Sequence, residues 1–120
     1  MRVAILADDL IWSTRLRDLV VAAGAEARPV RSADALLTAL PDVDAVVVDL
    51  TARAYDGIAA IESARAARRV VLAVGQHDDI ERRKRAREAG AVFAPYRRMN
   101  DDGLALMTTW LRESAIESPA

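Results

Sequence analysis

Five short apolar runs, spaced along the chain with helix-patterned segments between them, constrain the fold of this sequence more than any other feature. They are Val3 to Ala7, Ala25 to Val30, Ala45 to Val48, Val70 to Val74 and roughly Val92 to Tyr96. Their apolar character is mostly continuous instead of alternating, which is the pattern of strands covered on both faces. Between them, apolar residues recur at helical intervals: Leu16, Leu19, Val20 and Ala23, then Leu36, Leu37 and Leu40, then Ile58 and Ile61, and finally Leu104, Met107 and Leu111. Gly24 closes the first helical segment and Gly90 closes the one that begins near His77, as C-terminal caps do. An alternation of this kind predicts a parallel sheet with helices on both sides.

The resulting expectation is an α/β fold, a five-stranded doubly wound parallel sheet of the flavodoxin-like kind. With 120 residues, 52% of them hydrophobic, the chain suits one compact domain, expected over residues 1–113 with a frayed tail at 114–120. Seventeen basic against eighteen acidic residues leave a net charge of -1, which removes the broad attraction needed to coat a nucleic acid. The absence of cysteine excludes disulfide and thiolate-metal frameworks. No leader pattern precedes the first strand and no apolar run approaches membrane-spanning length, so a cytoplasmic protein without membrane contact is expected.

Function is concentrated where the strands give out. Asp8 and Asp9 follow the first apolar run and Asp49 follows the third. In a parallel sheet these carboxyl ends open on one crevice, where the acids can meet around a divalent cation. A strand-end aspartate also serves commonly as a helix cap, accepting hydrogen bonds from the first free amides. Three crowded carboxylates repel one another, and magnesium would relieve that repulsion.

Taken with Asp56-Gly57, seven and eight positions after Asp49, and with Ala89-Gly90-Ala91 before the fifth strand, these acids resemble the receiver domains of two-component response regulators, the CheY-like family. The resemblance runs from Val3 to about Leu111. It implies Asp49 as phosphoacceptor from a histidine kinase, Asp8 and Asp9 as magnesium ligands together with Asp49, and the backbone carbonyl of Thr51 as a further ligand. It also implies that the faces of the fourth helix, fifth strand and fifth helix serve dimerisation or output.

Two positions depart from that pattern. Gly75 stands where a Ser or Thr hydroxyl is expected after the fourth strand, and Arg97, with Arg98 beside it, stands where a Lys is expected after the fifth. Glycine has no group to bond a phosphoryl oxygen, and Arg is not a neutral substitute for Lys. Ala52-Arg53 replaces the Met-Pro that many receivers carry after the phosphoacceptor. The expectation is an atypical stand-alone receiver that signals by protein contact, with a conventional phospho-accepting receiver as the alternative. A small magnesium-dependent phosphohydrolase is the rival from another class, but no second acid stands at short spacing and no insertion caps a substrate. Ala7-Asp8-Asp9-Leu10 likewise leaves no glycine-rich phosphate loop after the first strand.

Other features have plainer readings. His77 reads as an exposed loop residue, and Arg82 to Arg87 as the solvated face of a helix preceded by Asp78, Asp79 and Glu81. Leu106 and Trp110, four apart, form either a second stripe for self-association or a widening of the core stripe. Trp12 is placed on the first helix, over the loops near the acids.

Overall fold

The computed structural model describes the backbone of residues 1–117 and the side chains of residues 1–115. The elements follow in the order β1 (Arg2–Leu6), α1 (Leu10–Ala22), β2 (Glu26–Val30), α2 (Ala33–Ala39), a short 3-10 turn (Leu40–Asp42), β3 (Ala45–Asp49), α3 (Gly57–Ala66), β4 (Val70–Gly75), α4 (Ile80–Glu88), β5 (Val92–Pro95) and α5 (Tyr96–Glu117). All four strand pairings are parallel, and the sheet runs β2-β1-β3-β4-β5. The three central strands are almost wholly buried, as their continuous apolar runs require.

Side-chain alternation sends the strands into two cores. Val3, Ile5, Ala45, Val47, Leu72 and Val74 meet α1 and α5 on one face. Ala4, Leu6, Val46, Val48, Val71 and Ala73 meet α2, α3 and α4 on the other. Each strand therefore contributes to both layers, which is the doubly wound architecture expected from the sequence.

The helix ends follow from local chemistry. Asp9, Ser32, Asp56 and Asp79 cap α1, α2, α3 and α4, each side chain accepting from a backbone amide of its own helix. Helix α4 thus starts at Ile80, later than the expected start near His77, because Asp79 captures the Arg82 amide. At the other end, Gly24 and Gly90 adopt φ of +94° and +104°, a left-handed turn that glycine enters without side-chain penalty. Arg68 makes the same turn after α3 at φ 62°.

Three expectations are corrected. Strand β5 stops at Pro95, which lacks the N–H to extend the ladder, and Tyr96 begins the helical segment that follows. A break in helical geometry at Asp102 (φ -132°, ψ 25°) separates that first turn from the long remainder of α5. Beyond the break the buried residues are Gly103, Met107, Trp110, Leu111 and Ser114: Met107 and Leu111 are buried as expected, whereas Leu104, expected in the core, is 48% exposed and Trp110 is 5% exposed. Trp110 therefore widens the core contact. Helix α5 also continues through the expected tail boundary to Glu117, with Ser114 buried, while positions 118–120 of the expected tail lie outside the described residues.

Candidate functional site

At the carboxyl edge of the sheet each aspartate is held by a different set of protein donors. Asp9 accepts from the amides of Ile11 and Trp12 at 2.8 and 3.1 Å through one oxygen, the capping arrangement. Asp8 accepts from the amides of Arg53 and Ala54 at 2.9 and 3.0 Å, tying the loop after β3 to the end of β1. Partial burial alone would raise the Asp8 carboxyl, but the hydrogen bonds from Ala54 and Arg53, helped by the positive charge of Arg31, outweigh it and hold it below the ordinary aspartate value. Arg31 also donates to the Asp8 carbonyl at 3.0 Å.

Asp49 is 0% exposed at the end of β3. Its Oδ1 accepts from the Thr51 amide at 3.1 Å, from the Thr51 hydroxyl at 2.9 Å and from the Tyr96 hydroxyl. The Thr51 and Tyr96 hydroxyls also contact each other, closing a triangle over the carboxylate. Its Oδ2 is buried with no hydrogen-bond partner among the described residues. A second phenol lies at the same strand ends: the Tyr55 hydroxyl is 2.6 Å from the Asp49 carbonyl oxygen and 2.9 Å from the Leu6 carbonyl oxygen, its single proton shared between them. Burial and the nearby negative charge of Asp49 push both phenols well above their ordinary range, with the hydrogen bond to Asp49 adding to the effect at Tyr96. Both therefore remain protonated donors.

Tyr96 is held in turn by Trp12 on α1. Their rings stack with centroids 4.3 Å apart and planes inclined by 28°, and the Arg15 guanidinium lies 5.4 Å from the centre of the Trp12 ring. Arg15 also donates to Asn100 in the first turn of the α5 segment.

The expected site residues are thus brought to one edge, but in a specific division. Asp8, Asp9, Asp49 and Thr51 share that edge, and no group of three or more acidic or histidine side chains among the described residues is close enough to hold a metal ion. As arranged, the donors do not fit magnesium. Arg97 is exposed, and the side chain that reaches Asp49 from the end of β5 belongs to Tyr96. Gly75 is buried at the end of β4, where an added Cβ would meet Leu50 and Phe93 side-chain atoms at 3.4 Å. The space beside it is therefore lined by hydrocarbon. His77 is exposed, and α4 turns its basic run to solvent, with Ala86 its one buried residue.

Sequence reasoning assigned no role at Asp49 to Tyr96, Tyr55 or Trp12. The signal available was that Tyr96 directly follows the strand-ending Pro95 and Tyr55 directly precedes the capping Asp56, both at the edge where the acids gather.

The fold, with acids at the ends of β1 and β3, is that of response regulator receiver domains. A receiver domain protein (CheY-like) from Methanospirillum hungatei JF-1 is similar at a TM-score of 0.82 and 19% identity, over 98% of this chain and 98% of that one. Full-length FixJ from B. japonicum matches at a TM-score of 0.77 and 25% identity, over 94% of this chain and 58% of that one. NtrX from Brucella abortus in complex with ADP matches at 0.84 and 20%, over 97% of this chain and 28% of that one. The chain thus spans less than two thirds of the FixJ and NtrX chains. No family model matches the sequence, and no curated protein matches it.

Proposed function

We propose that the chain is a receiver-type signalling domain of two-component pathways that acts by protein contact and does not depend on phosphorylation of Asp49. The observation that carries this reading is the saturation of Asp49 Oδ1 by two hydroxyls and an amide from the protein itself. Donors of this kind stabilise a buried carboxylate without a bound cation. Gly75 agrees, since it offers no hydroxyl to follow a phosphoryl group and so removes the mechanical link between modification and the neighbouring loop.

The partner is a histidine kinase or another signalling protein, and self-association would use the face of α4, β5 and α5. That face carries the exposed edge of β5, where Val92 is 55% exposed, and a groove of about 350 Å³ bordered by Leu106, Trp110, Arg98 and Glu113. No helix among the described residues is long and apolar enough to cross a membrane. The protein would work in the cytoplasm as a binding module and not as an enzyme.

The conventional receiver is the second reading, and one observation favours it: Asp49 Oδ2, buried and unpartnered among the described residues, is the kind of oxygen a phosphoryl group takes. Incubation with acetyl phosphate and magnesium, followed by intact-mass measurement beside Asp49→Asn, separates the two. The contact-based reading expects no adduct on folded protein. A gain of one phosphoryl group that needs both magnesium and Asp49 would establish the conventional one.

A further inference from the structure

We propose that the cleft between α4 and the start of α3 is a docking site for an acidic segment of a partner protein, with Arg82 and Arg85 as its carboxylate-binding side chains. The inference names the class of partner for the contact-based function and rests on that reading.

Charge is distributed unevenly along the chain. Residues 65–98 hold ten of the seventeen basic side chains and four of the eighteen acidic ones, so this stretch is positive and the rest of the chain negative. The fold keeps the stretch together, because it runs from the end of α3 through β4, α4 and β5, which are neighbours at one side of the sheet. Many of the acids elsewhere are engaged in the fold itself. Asp9 and Asp56 cap helices, Asp8 accepts from the Arg53 and Ala54 amides, and Glu26 and Asp42 pair with Arg2 and Arg28. On α4, Asp79 pairs with Arg82 at 3.5 Å and Glu88 with Lys84 at 3.9 Å, whereas Arg85 has no acid partner among the described residues.

Within this positive side lies a cleft of about 210 Å³, bordered by Arg82 and Arg85 of α4 and by Gly57 and Ile58 of α3. Arg82 is fixed at its wall by a hydrogen bond to the Leu50 carbonyl at 3.1 Å. Arg85, one helical turn further on, is exposed. A guanidinium presents a planar fork of donors that matches a carboxylate on two bonds, and clusters of arginine are a recurring means of gripping acidic segments. A carboxylate that enters a cleft also sheds part of its water, so its attraction to the guanidinium exceeds that on a flat surface. Asp56 lines the same cleft, its carboxylate capping α3. That charge repels a continuous phosphate backbone, whereas the separate carboxylates of a peptide can be placed around it. The net charge of -1 likewise gives nucleic acid no broad attraction, so an acidic protein segment is the better fit. The cleft is separate from the β5 and α5 groove assigned to self-association, since Arg87 covers Phe93 on the other flank of α4.

The test titrates a fluorescein-labelled oligoglutamate peptide with the whole chain at low ionic strength and follows its fluorescence anisotropy. Arg82→Gln, Arg85→Gln and Arg112→Gln are compared with the unaltered protein. Arg112 is exposed on α5, which packs on the opposite face of the sheet, so its replacement removes the same charge away from the cleft. Binding is expected to weaken about tenfold in Arg85→Gln, as loss of a charged hydrogen-bond partner does, and to stay nearly unchanged in Arg112→Gln. No binding by the unaltered protein overturns the cleft, as does equal weakening in Arg85→Gln and Arg112→Gln, which is the mark of diffuse attraction. Tighter binding of single-stranded oligothymidylate that is lost in Arg85→Gln also overturns it, because the cleft then serves a nucleic acid. Should Arg82→Gln, which gives up the bond to Leu50, fail to fold, Arg85→Gln decides by the same criteria. The titration is repeated after incubation with acetyl phosphate and magnesium. Peptide binding that appears only after that treatment keeps the cleft and overturns the contact-based function. Absence of binding under both conditions, with no mass adduct, overturns the cleft and leaves that function standing.

Discussion

Arg53 supplies an amide that a proline would withhold. Where the family resemblance leads one to expect Met-Pro, this chain has Ala52-Arg53, and the Arg53 N–H is one of two that hold the Asp8 carboxylate. Arg53→Pro removes that donor, so a loss of about 1 kcal/mol is expected in urea unfolding. Loosening of the loop between β3 and α3 should accompany it, visible as accelerated amide exchange at Ala54. Arg68 offers the opposite case. It occupies the left-handed position that Gly24 and Gly90 fill at the other helix ends, and its amide bonds the Arg65 carbonyl as theirs bond Val21 and Arg87. Arg68→Gly relieves the side-chain strain and should stabilise the protein by roughly 0.5–1 kcal/mol. Unchanged or lower melting temperature would contradict that account. At this scale the sequence made the acids visible but not their partners. Asp49 lies 47 positions from Tyr96 and Asp8 lies 45 from Arg53, and no local pattern records a hydrogen bond across such a distance.

The elements differ in how firmly they are tied down. Helix α4 is nine residues long, mostly charged, and buries Ala86 alone. Its remaining attachments are the Arg82 hydrogen bond to the Leu50 carbonyl, the Arg83 bond to the His77 carbonyl and the contact of Arg87 with the Phe93 ring. With so little apolar burial, α4 should show the fastest amide exchange of the five helices, whereas α1, anchored by Leu16 and Val20, exchanges slowly. Equal protection across α1 and α4 would sink this ranking. The strands were legible because β-branched runs bounded by turn residues leave little choice, and observed ends agree with the expected ones within a residue. The start of the α5 stripe was not: Met107 and Leu111 are buried as expected, but the place given to Leu104 by the spacing of large apolar residues is taken by Gly103. Gly103 lies so close to α1 that an added Cβ would stand 2.9 Å from a methyl of Leu19, and nothing in the spacing of large apolar residues announces that approach.

For the molecule as a whole, the titrating groups at the sheet edge shape stability against pH from both ends. The lowered Asp8 carboxyl contributes stability that is complete above its unfolded value of 3.8 and is lost as pH falls through the depressed native value. The raised phenols of Tyr55 and Tyr96 work in the other direction: above the unfolded value of 10.0 the unfolded chain releases protons that the native protein retains, so stability declines as pH climbs. Thermal melting across pH should therefore show an alkaline decline that flattens in Tyr55→Phe and Tyr96→Phe, relative to each variant's own neutral-pH value. An unaltered alkaline slope in both would show that these phenols do not couple to folding.

The two rims of the sheet also govern how the molecule meets copies of itself. In β2 the Glu26 amide bonds the Met1 carbonyl and the Val30 carbonyl accepts from Ala7, so the even-numbered residues face β1 and Pro29 faces outward. That rim can offer an incoming strand the amide of Ala27 but none at Pro29, and the opposite rim ends at Pro95 after four residues. Growth of the sheet by continuous backbone pairing is discouraged at both rims, which disfavours fibrillar stacking and leaves side-chain and helix contacts as the means by which a crowded population of this protein would associate.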